Sequence, residues 1–347
     1  MSLIIVGDIH LGYERKSFTT KEGKARYREE IYQTSKKVIK EASQKGSVAM
    51  VGDLFDKPNN LDEVLAQGLS TCKNFKQVLA GNHDLVNRGG HRTSLQMLSE
   101  ISDAEFVLPY YSEPGFSRKV LDGSKYHVYS VPYCHTQDLF LESLESAQST
   151  AKELGKPCVL LLHTNYDLQF EKTDTTNNLE VDRAKQLLET FEYIFSGHEH
   201  NHSTHFGGRL IMTGSVMPVS MSEMTEKYYF ELTDNGDVIK HTSWDPKNYT
   251  QFDVGKAPTS LKEGTQFVRV TGQCDPLLAT ELMKKIVDWW KTCPTLLVCK
   301  PEWEVQKSDS GSTVVKSHDI KSIDRLIRDL LPSEDLKAAY DSLLEEV

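Results

Sequence analysis

The chain has 347 residues, 38% hydrophobic and 26% charged, enough for one large domain and a smaller one, each with a core. Lys and Arg number 40 against 50 Asp and Glu, and the net charge of −10 argues against holding nucleic acid by bulk electrostatics alone. It leaves room for a local basic groove, or for a partner that brings the positive surface.

No apolar run approaches the roughly 20 residues of a membrane span, and the start MSLIIVGD lacks the basic region of a signal peptide. Six cysteines without a C-x-x-C pair read as reduced thiols, so the expected location is cytoplasmic.

Short apolar runs alternate with stretches of helical period, the pattern of an α/β domain. Strands are expected at 3–7, 48–52, 77–80, 126–131, 158–162 and 193–196, with helices at about 23–44, 62–74, 136–154 and 181–190. On the second helix, Leu61, Val64, Leu65 and Leu69 read as mostly core. The polar stretch 165–180 reads as disordered, in preference to a segment bordering the substrate.

From Gly208 to Trp244 the pattern turns to strands at 209–213, 227–232 and 238–243, with Asp234-Asn235-Gly236 as a hairpin turn. A second sheet packed on the first would account for them. Residues 244–264 then read as a boundary. Beyond it a β-α-β unit is expected, with strands at 265–271 and 295–299 and a helix opened by Asp275-Pro276 as N-cap and first-turn proline. The expected division is 1–250 for the main domain, 260–306 for a small α+β domain, 307–319 for a linker and 320–347 for two short amphipathic helices.

The strand ends carry the chemistry. The strands run into Gly7-Asp8-Ile9-His10, Gly52-Asp53-Leu54-Phe55-Asp56, Gly81-Asn82-His83-Asp84, His163-Thr164-Asn165 and Gly197-His198-Glu199-His200. In α/β sheets ligands bind at that edge, and glycine lets the backbone turn sharply there. Asp8, His10, Asp53, Asn82, His163, His198 and His200 make a ligand set too large for one zinc ion. It fits two ions sharing a carboxylate, about 3.5–4 Å apart. Nitrogen and oxygen ligands without thiolate suit manganese, iron or zinc.

In order and spacing these motifs resemble the calcineurin-like metallophosphoesterases. Gly52-Asp53-Leu54-Phe55-Asp56, and Gly214-Ser215-Val216-Met217-Pro218 followed by Glu226-Lys227, are similar to the SbcD-type recombination nucleases, including those of large bacteriophages. The arginine-bearing motif of the protein phosphatases is absent. The resemblance spans roughly residues 1–245. It implies a two-sheet β-sandwich flanked by helices, followed by a small DNA-capping domain and C-terminal helices that dock on the coiled coil of an SbcC-type ABC ATPase. A homodimer formed through helices near the second helix is also implied, in the host cytoplasm for a phage-encoded chain.

By the same resemblance, Asp8, His10, Asp53 and His200 would hold one divalent ion, and Asp53, Asn82, His163 and His198 the other, with Mn2+ favoured over Mg2+, Fe2+ or Zn2+. His83 would stabilise charge on the scissile phosphate and protonate the leaving oxygen, oriented by Asp84, while a bridging water attacks phosphorus in line. His202 has no place in the motif and reads as a surface histidine or one bracing a ligand. Arg88, His91 and Arg92 follow the third motif and are candidate contacts for DNA phosphates or a solvated loop.

The expected activity is that of a DNA exonuclease on double strands and endonuclease on single strands, working with the ATPase. A metallophosphoesterase acting on a small nucleotide or other phosphoester is the alternative, and a non-enzymatic metal-bound scaffold a third reading. The acidic charge mildly favours the small substrate; the hundred residues after Trp244 favour DNA.

Overall fold

The fold is that of a computed structural model, which describes residues 2–15, 17–85, 92–109, 113–121, 124–167 and 177–305. The chain divides into two compact units, Met1–Tyr13 with Arg28–Asp245, and Glu14–Tyr27 with Pro246–Val347. The expected linker and terminal helices, 307–347, lie outside the described residues. Among those described, no helix is long and apolar enough to cross a membrane.

The first unit is a two-sheet β-sandwich flanked by helices. One six-stranded sheet runs Val238–Trp244, Lys227–Leu232, Ser2–Val6, Gly46–Met50, Phe75–Leu79, Glu105–Val107; the other runs Ser203–His205, Leu210–Met212, Tyr193–Gly197, Cys158–His163, His127–Val131, Ser117–Val120. The four strands from Ser2–Val6 outward to Glu105–Val107 are parallel, as are the four from Leu210–Met212 to His127–Val131, and antiparallel strands complete the edges.

Side-chain alternation builds the interior. Leu3, Ile5, Ala49 and Val51 of one sheet meet Val159, Leu161, Phe195 and Ile211 of the other. On the far face of the second sheet, Leu160, Leu162, Ile194 and Met212 pack with Phe140, Leu144 and Ala147 of helix Gln137–Leu154 and with Ala184 and Leu187 of helix Val181–Leu188. Central strands covered on both faces have no polar side to show, hence their unbroken apolar sequences.

Several expectations need correction. The strands after Gly208 do not form a sheet of their own. Leu210–Met212 joins the second sheet in parallel with Tyr193–Gly197, while the hairpin Lys227–Leu232/Val238–Trp244 returns to the first sheet, antiparallel to Ser2–Val6. Turn chemistry located the hairpin but held no information on its partner. The turn itself is as expected, with Gly236 at φ +94° and the Thr233 N–H donating to the Asp237 carbonyl at 2.9 Å.

Helix Ser94–Ile101 was missed, although Thr93 and Gln96 form a capping box, each side chain receiving the other's backbone N–H. The disorder expected over 165–180 fails at both ends, since Asn165–Tyr166 and Asn178–Leu179 pair in parallel; 168–176 lies outside the described residues. Of the residues read as core on helix Asp62–Cys72, Val64 is buried but Leu61 is 73% exposed.

The second unit is a three-stranded parallel sheet, Tyr249–Asp253, Phe267–Cys274, Val298–Val305, packed on helix Pro276–Thr292. Asp275 caps the helix by accepting the Leu278 N–H at 2.9 Å, with Pro276 in the first turn. Val268, Val270, Leu282, Ile286, Trp289 and Trp303 form its core. The strand Tyr249–Asp253 falls in the stretch read as a boundary. Its alternation (Tyr-Thr-Gln-Phe-Asp) is too polar to stand out, and pairing with Phe267–Cys274 makes it a strand.

Phe195 is fully buried between the sheets of the first unit, its ring 6.2 Å from that of Phe230. Phe195→Ala is expected to cost about 3–5 kcal/mol, read from the urea midpoint. Leu277→Ala, at a side chain 80% exposed, is expected to stay within about 0.5 kcal/mol.

Candidate metal centre

The C-terminal ends of five parallel strands converge on one rim, where neighbouring loops are zipped by backbone bonds. The N–H groups of Ile9 and His10 donate to the Asp53 carbonyl at 3.1 and 3.0 Å, and Val216 N–H donates to that of Asp8 at 2.8 Å. The turns are sharp enough that His10, Asp53 and His198 sit at φ +56°, +50° and +85°. Such left-handed conformations at non-glycine residues cost of the order of 1–3 kcal/mol each and persist where the surroundings over-determine them.

Two glycines make room. Gly52 has φ +110°, and a Cβ there would stand 2.0 Å from Nδ1 of His163; a Cβ on Gly81 would stand 2.1 Å from Oδ1 of Asp53. Side chains at either position would occupy the space of a candidate ligand.

All seven candidate ligands come together. Asp8, His10 and His200 form one group and Asp53, His163 and His198 another, each with its donor atoms within 4.8 Å of one another. His10 Nε2 lies 2.9 Å from His200 Nε2 and 3.8 Å from Asp53 Oδ2. Asn82 Oδ1 lies 3.0 Å from His163 Nε2 and 2.8 Å from His198 Nδ1, and Asp53 Oδ2 lies 3.3 Å from His163 Nε2. Oδ2 of Asp53 thus stands near both His10 and His163. A third group, His10, Asp53 and His83, also has ligand spacing.

The donor set fits cations. His200 donates from Nδ1 to Glu223 Oε1 at 3.1 Å, and His163 from Nδ1 to the Val51 carbonyl at 2.8 Å. Each ring therefore directs Nε2 at the centre, toward His10 and the amide oxygen of Asn82, where as a neutral imidazole it would offer a lone pair to a cation. Spacings near 3–4 Å are what ligands bound at about 2.1 Å give one another. His10 Nδ1 is buried without a hydrogen bond, 3.6 Å from Asp56 Oδ1.

Electrostatics agree. Asp8 and Asp53 are buried side by side, and burial pushes the Asp8 carboxyl upward. Burial opposes ionisation of Asp53 too, but the neighbouring His163 imidazole, with His10 and His83, holds it far below the usual carboxylate range. In return, His163, although burial works against its charge, is raised to about 9 by Asp53. Without an ion, a proton on His163 partly fills the place of one.

His83 stands at the mouth, its side chain 41% exposed and its ring edge-on to His10 at 4.9 Å. The structure assigns its bracing to another residue than expected. Nδ1 of His83 lies 2.8 Å from the Asp56 carbonyl. Asp84 is instead fully buried and accepts N–H bonds from Leu54, Phe55 and Gly81 at 3.3, 3.0 and 3.0 Å. It joins the second and third motif loops, and burial beside Asp53 pushes its carboxyl up to about 7 despite those bonds.

Elsewhere, His202 is a packing residue, bonded through Nδ1 to the Met212 carbonyl at 2.9 Å with its ring 5.1 Å from that of Phe230. Arg92 is ion-paired with Glu100 at 2.8 Å, and Arg88 and His91 lie outside the described residues.

Sequence reasoning missed Asp56, Glu223 and Tyr133, whose ring lies 6.1 Å from those of His163 and His198. In the pair Glu226-Lys227, Lys227 is the residue that turns inward, with Glu223, while Glu226 bonds Tyr228 and Thr242. Glu223 and Lys227 are four residues apart, but Glu223 lies in a loop and Lys227 opens a strand, so the spacing that pairs charges on a helix held no signal here.

Gly81→Ala is expected to displace Asp53 and weaken Mn2+ binding at least about tenfold, in the range of changes that disturb a ligand's orientation. Calorimetric titration with MnCl2 checks this, and unchanged affinity would show that the loop yields without cost.

No curated protein matches the chain. A crystal structure of a conserved uncharacterised protein from Streptococcus pneumoniae TIGR4, described as a predicted phosphoesterase, aligns with 12% identity and a TM-score of 0.28, covering 70% of this chain and 97% of that one. Residues 1–202 match the calcineurin-like phosphoesterase family, whose members are hydrolases that act on phosphoesters with divalent metal ions. The chain belongs to the calcineurin-like phosphoesterase family.

Proposed function

We propose that the chain is a two-ion phosphodiesterase acting on DNA, an exonuclease on double strands and an endonuclease on single strands. The observation that carries the reaction is His83, half-exposed beside a cluster of seven ligand-type residues, four of them buried, and fixed through Nδ1 to the Asp56 carbonyl. Asp8, His10, Asp53 and His200 would hold one divalent ion and Asp53, Asn82, His163 and His198 the other, with Mn2+ the first choice for this nitrogen and oxygen set. Bound there, the ions would lower the pKa of a water nucleophile and neutralise charge on the phosphate.

The rest falls to the protein. With Nδ1–H directed at the Asp56 carbonyl, the second proton of a charged His83 sits on Nε2, the atom free to serve the leaving oxygen. Asn82 Oδ1 stands between His163 and His198 and keeps both rings turned inward. Asp84 holds the His83 loop to the Asp53 loop through backbone bonds alone, so the proton donor and the shared carboxylate move together.

DNA is favoured over a small phosphoester by the Gly52–Asp56 and Gly214–Pro218 motifs and by a second folded unit, which a minimal phosphodiesterase does not need. The net charge of −10 is then met by an SbcC-type ATPase with a coiled coil, docked through 320–347 and closing around DNA. Homodimerisation and residence in a host cytoplasm belong to the same reading. The acidic charge is the one observation favouring a small nucleotide instead.

End-labelled linear duplex DNA and bis-p-nitrophenyl phosphate, each with Mn2+, test the reaction. Wild type is expected to cleave both, and His83→Gln to bind ions normally while losing about 10²–10⁴-fold in rate, the usual worth of a positioned acid. Turnover of the small diester with DNA untouched, even with the ATPase present, would move the assignment to a small phosphoester. Truncation before Ile320 is expected to spare small-diester turnover and abolish co-purification with the ATPase. Retained tight association would refute docking through that segment.

A further inference from the structure

Behind His200 lies a buried ion pair that none of the strand-end motifs contains. Glu223 is 6% exposed and Lys227 fully buried, at a depth where charges are seldom found unless paired. Oε1 of Glu223 takes the Nδ1 proton of His200 at 3.1 Å, while Oε2 takes the Val219 N–H at 3.2 Å and Lys227 Nζ at 3.4 Å. Lys227 Nζ also donates to the His200 carbonyl at 2.7 Å, alongside the Ser215 N–H at 3.1 Å.

One ring is thus held at both ends, its imidazole by the carboxylate and its backbone by the ammonium. The loop carrying Glu223 is tied down as well: Tyr13 Oη donates to the Val219 carbonyl at 2.7 Å, and Glu223 N–H to the Ser220 carbonyl at 3.1 Å.

His163, across the site, donates from Nδ1 to the neutral Val51 carbonyl at 2.8 Å, and the nearest carboxylate oxygen on that side, Oδ1 of Asp8, stands 4.0 Å away, beyond hydrogen-bond reach. A carboxylate in that role makes an imidazole a stronger donor than a carbonyl does, and it fixes the tautomer. The two halves of the centre therefore differ in how their histidines are backed.

We propose that Glu223, braced by Lys227, is a positioning residue that locks His200 as the Nδ1–H tautomer and strengthens the ion site of Asp8, His10, Asp53 and His200 over its neighbour. This rests on the two-ion reading above. Removing Glu223 should weaken one ion and leave the other.

Glu223→Gln alone strands a buried lysine, so the decisive variant is the double change Glu223→Gln/Lys227→Met, which removes both charges together. Full-length chains are titrated calorimetrically with MnCl2, and ¹H–¹⁵N spectra of the ion-free histidines report which nitrogen of His200 carries the proton. In the double variant one of the two Mn2+ events is expected to weaken about 10–100-fold, with the other within about threefold, and the Nδ1–H population of His200 to fall. A double variant with two wild-type affinities and an unchanged tautomer would overturn the proposal, leaving Glu223 only as the counter-charge of Lys227. Wild-type chain that takes up no Mn2+ would instead refute the two-ion reading beneath it.

Discussion

Asp8 and Asp53 are buried at the rim where the two sheets of the first unit meet. Two carboxylates so close cannot both ionise in a dry environment unless positive charge lies beside them. The surroundings are arranged around that demand. His163 answers part of it by drawing a proton, and the N–H of His198 answers part by donating to Asp8 at 3.0 Å. Imidazole nitrogens, carboxylates and the Asn82 amide oxygen converging on the cluster mark where the remainder belongs, and divalent ions are the proposed supply. A site built this way would be least settled when stripped of cations.

Holding such a cluster costs backbone strain. Three of the ligand candidates adopt left-handed conformations, and two neighbouring glycines leave no space for a Cβ. The strain is borne by parallel strands covered on both faces, whose cores lock the start of every turn. Asp84 shows how the loops are then tied, a buried carboxylate used wholly on three backbone donors. The expectation that it would touch His83 treated neighbours in sequence as neighbours in function. The chain between them turns, and His83 finds the carbonyl of Asp56 instead.

Much of the fold could be read from the sequence because its strongest signals are local. Apolar runs located the central strands to within a residue or two, and glycine followed by Asp, Asn or His marked their ends. What was not readable depends on partners distant along the chain. Tyr249–Asp253 is a strand only because Phe267–Cys274 lies beside it, and the hairpin after Lys227 carries no mark of the sheet it joins. Glu223 stands in Ser-Met-Ser-Glu-Met-Thr-Glu-Lys, where nothing local tells which of two glutamates turns inward. The candidate ligands were visible because a motif repeats at strand ends; their supports were not, since any nearby donor or acceptor can serve.

The pairing of the first strand has a consequence for how the chain is made. Ser2–Val6 lies between Gly46–Met50 and Lys227–Leu232, so its second neighbour follows more than two hundred residues later. At about 5–20 residues per second of synthesis, one edge of that strand waits for roughly 10–50 s without its strand partner. Contacts this distant make folding slow. They also mean that a truncated product ending before Lys227 lacks the strand that pairs with Ser2–Val6 and the lysine that holds the His200 carbonyl: it would carry all seven candidate ligands without that support.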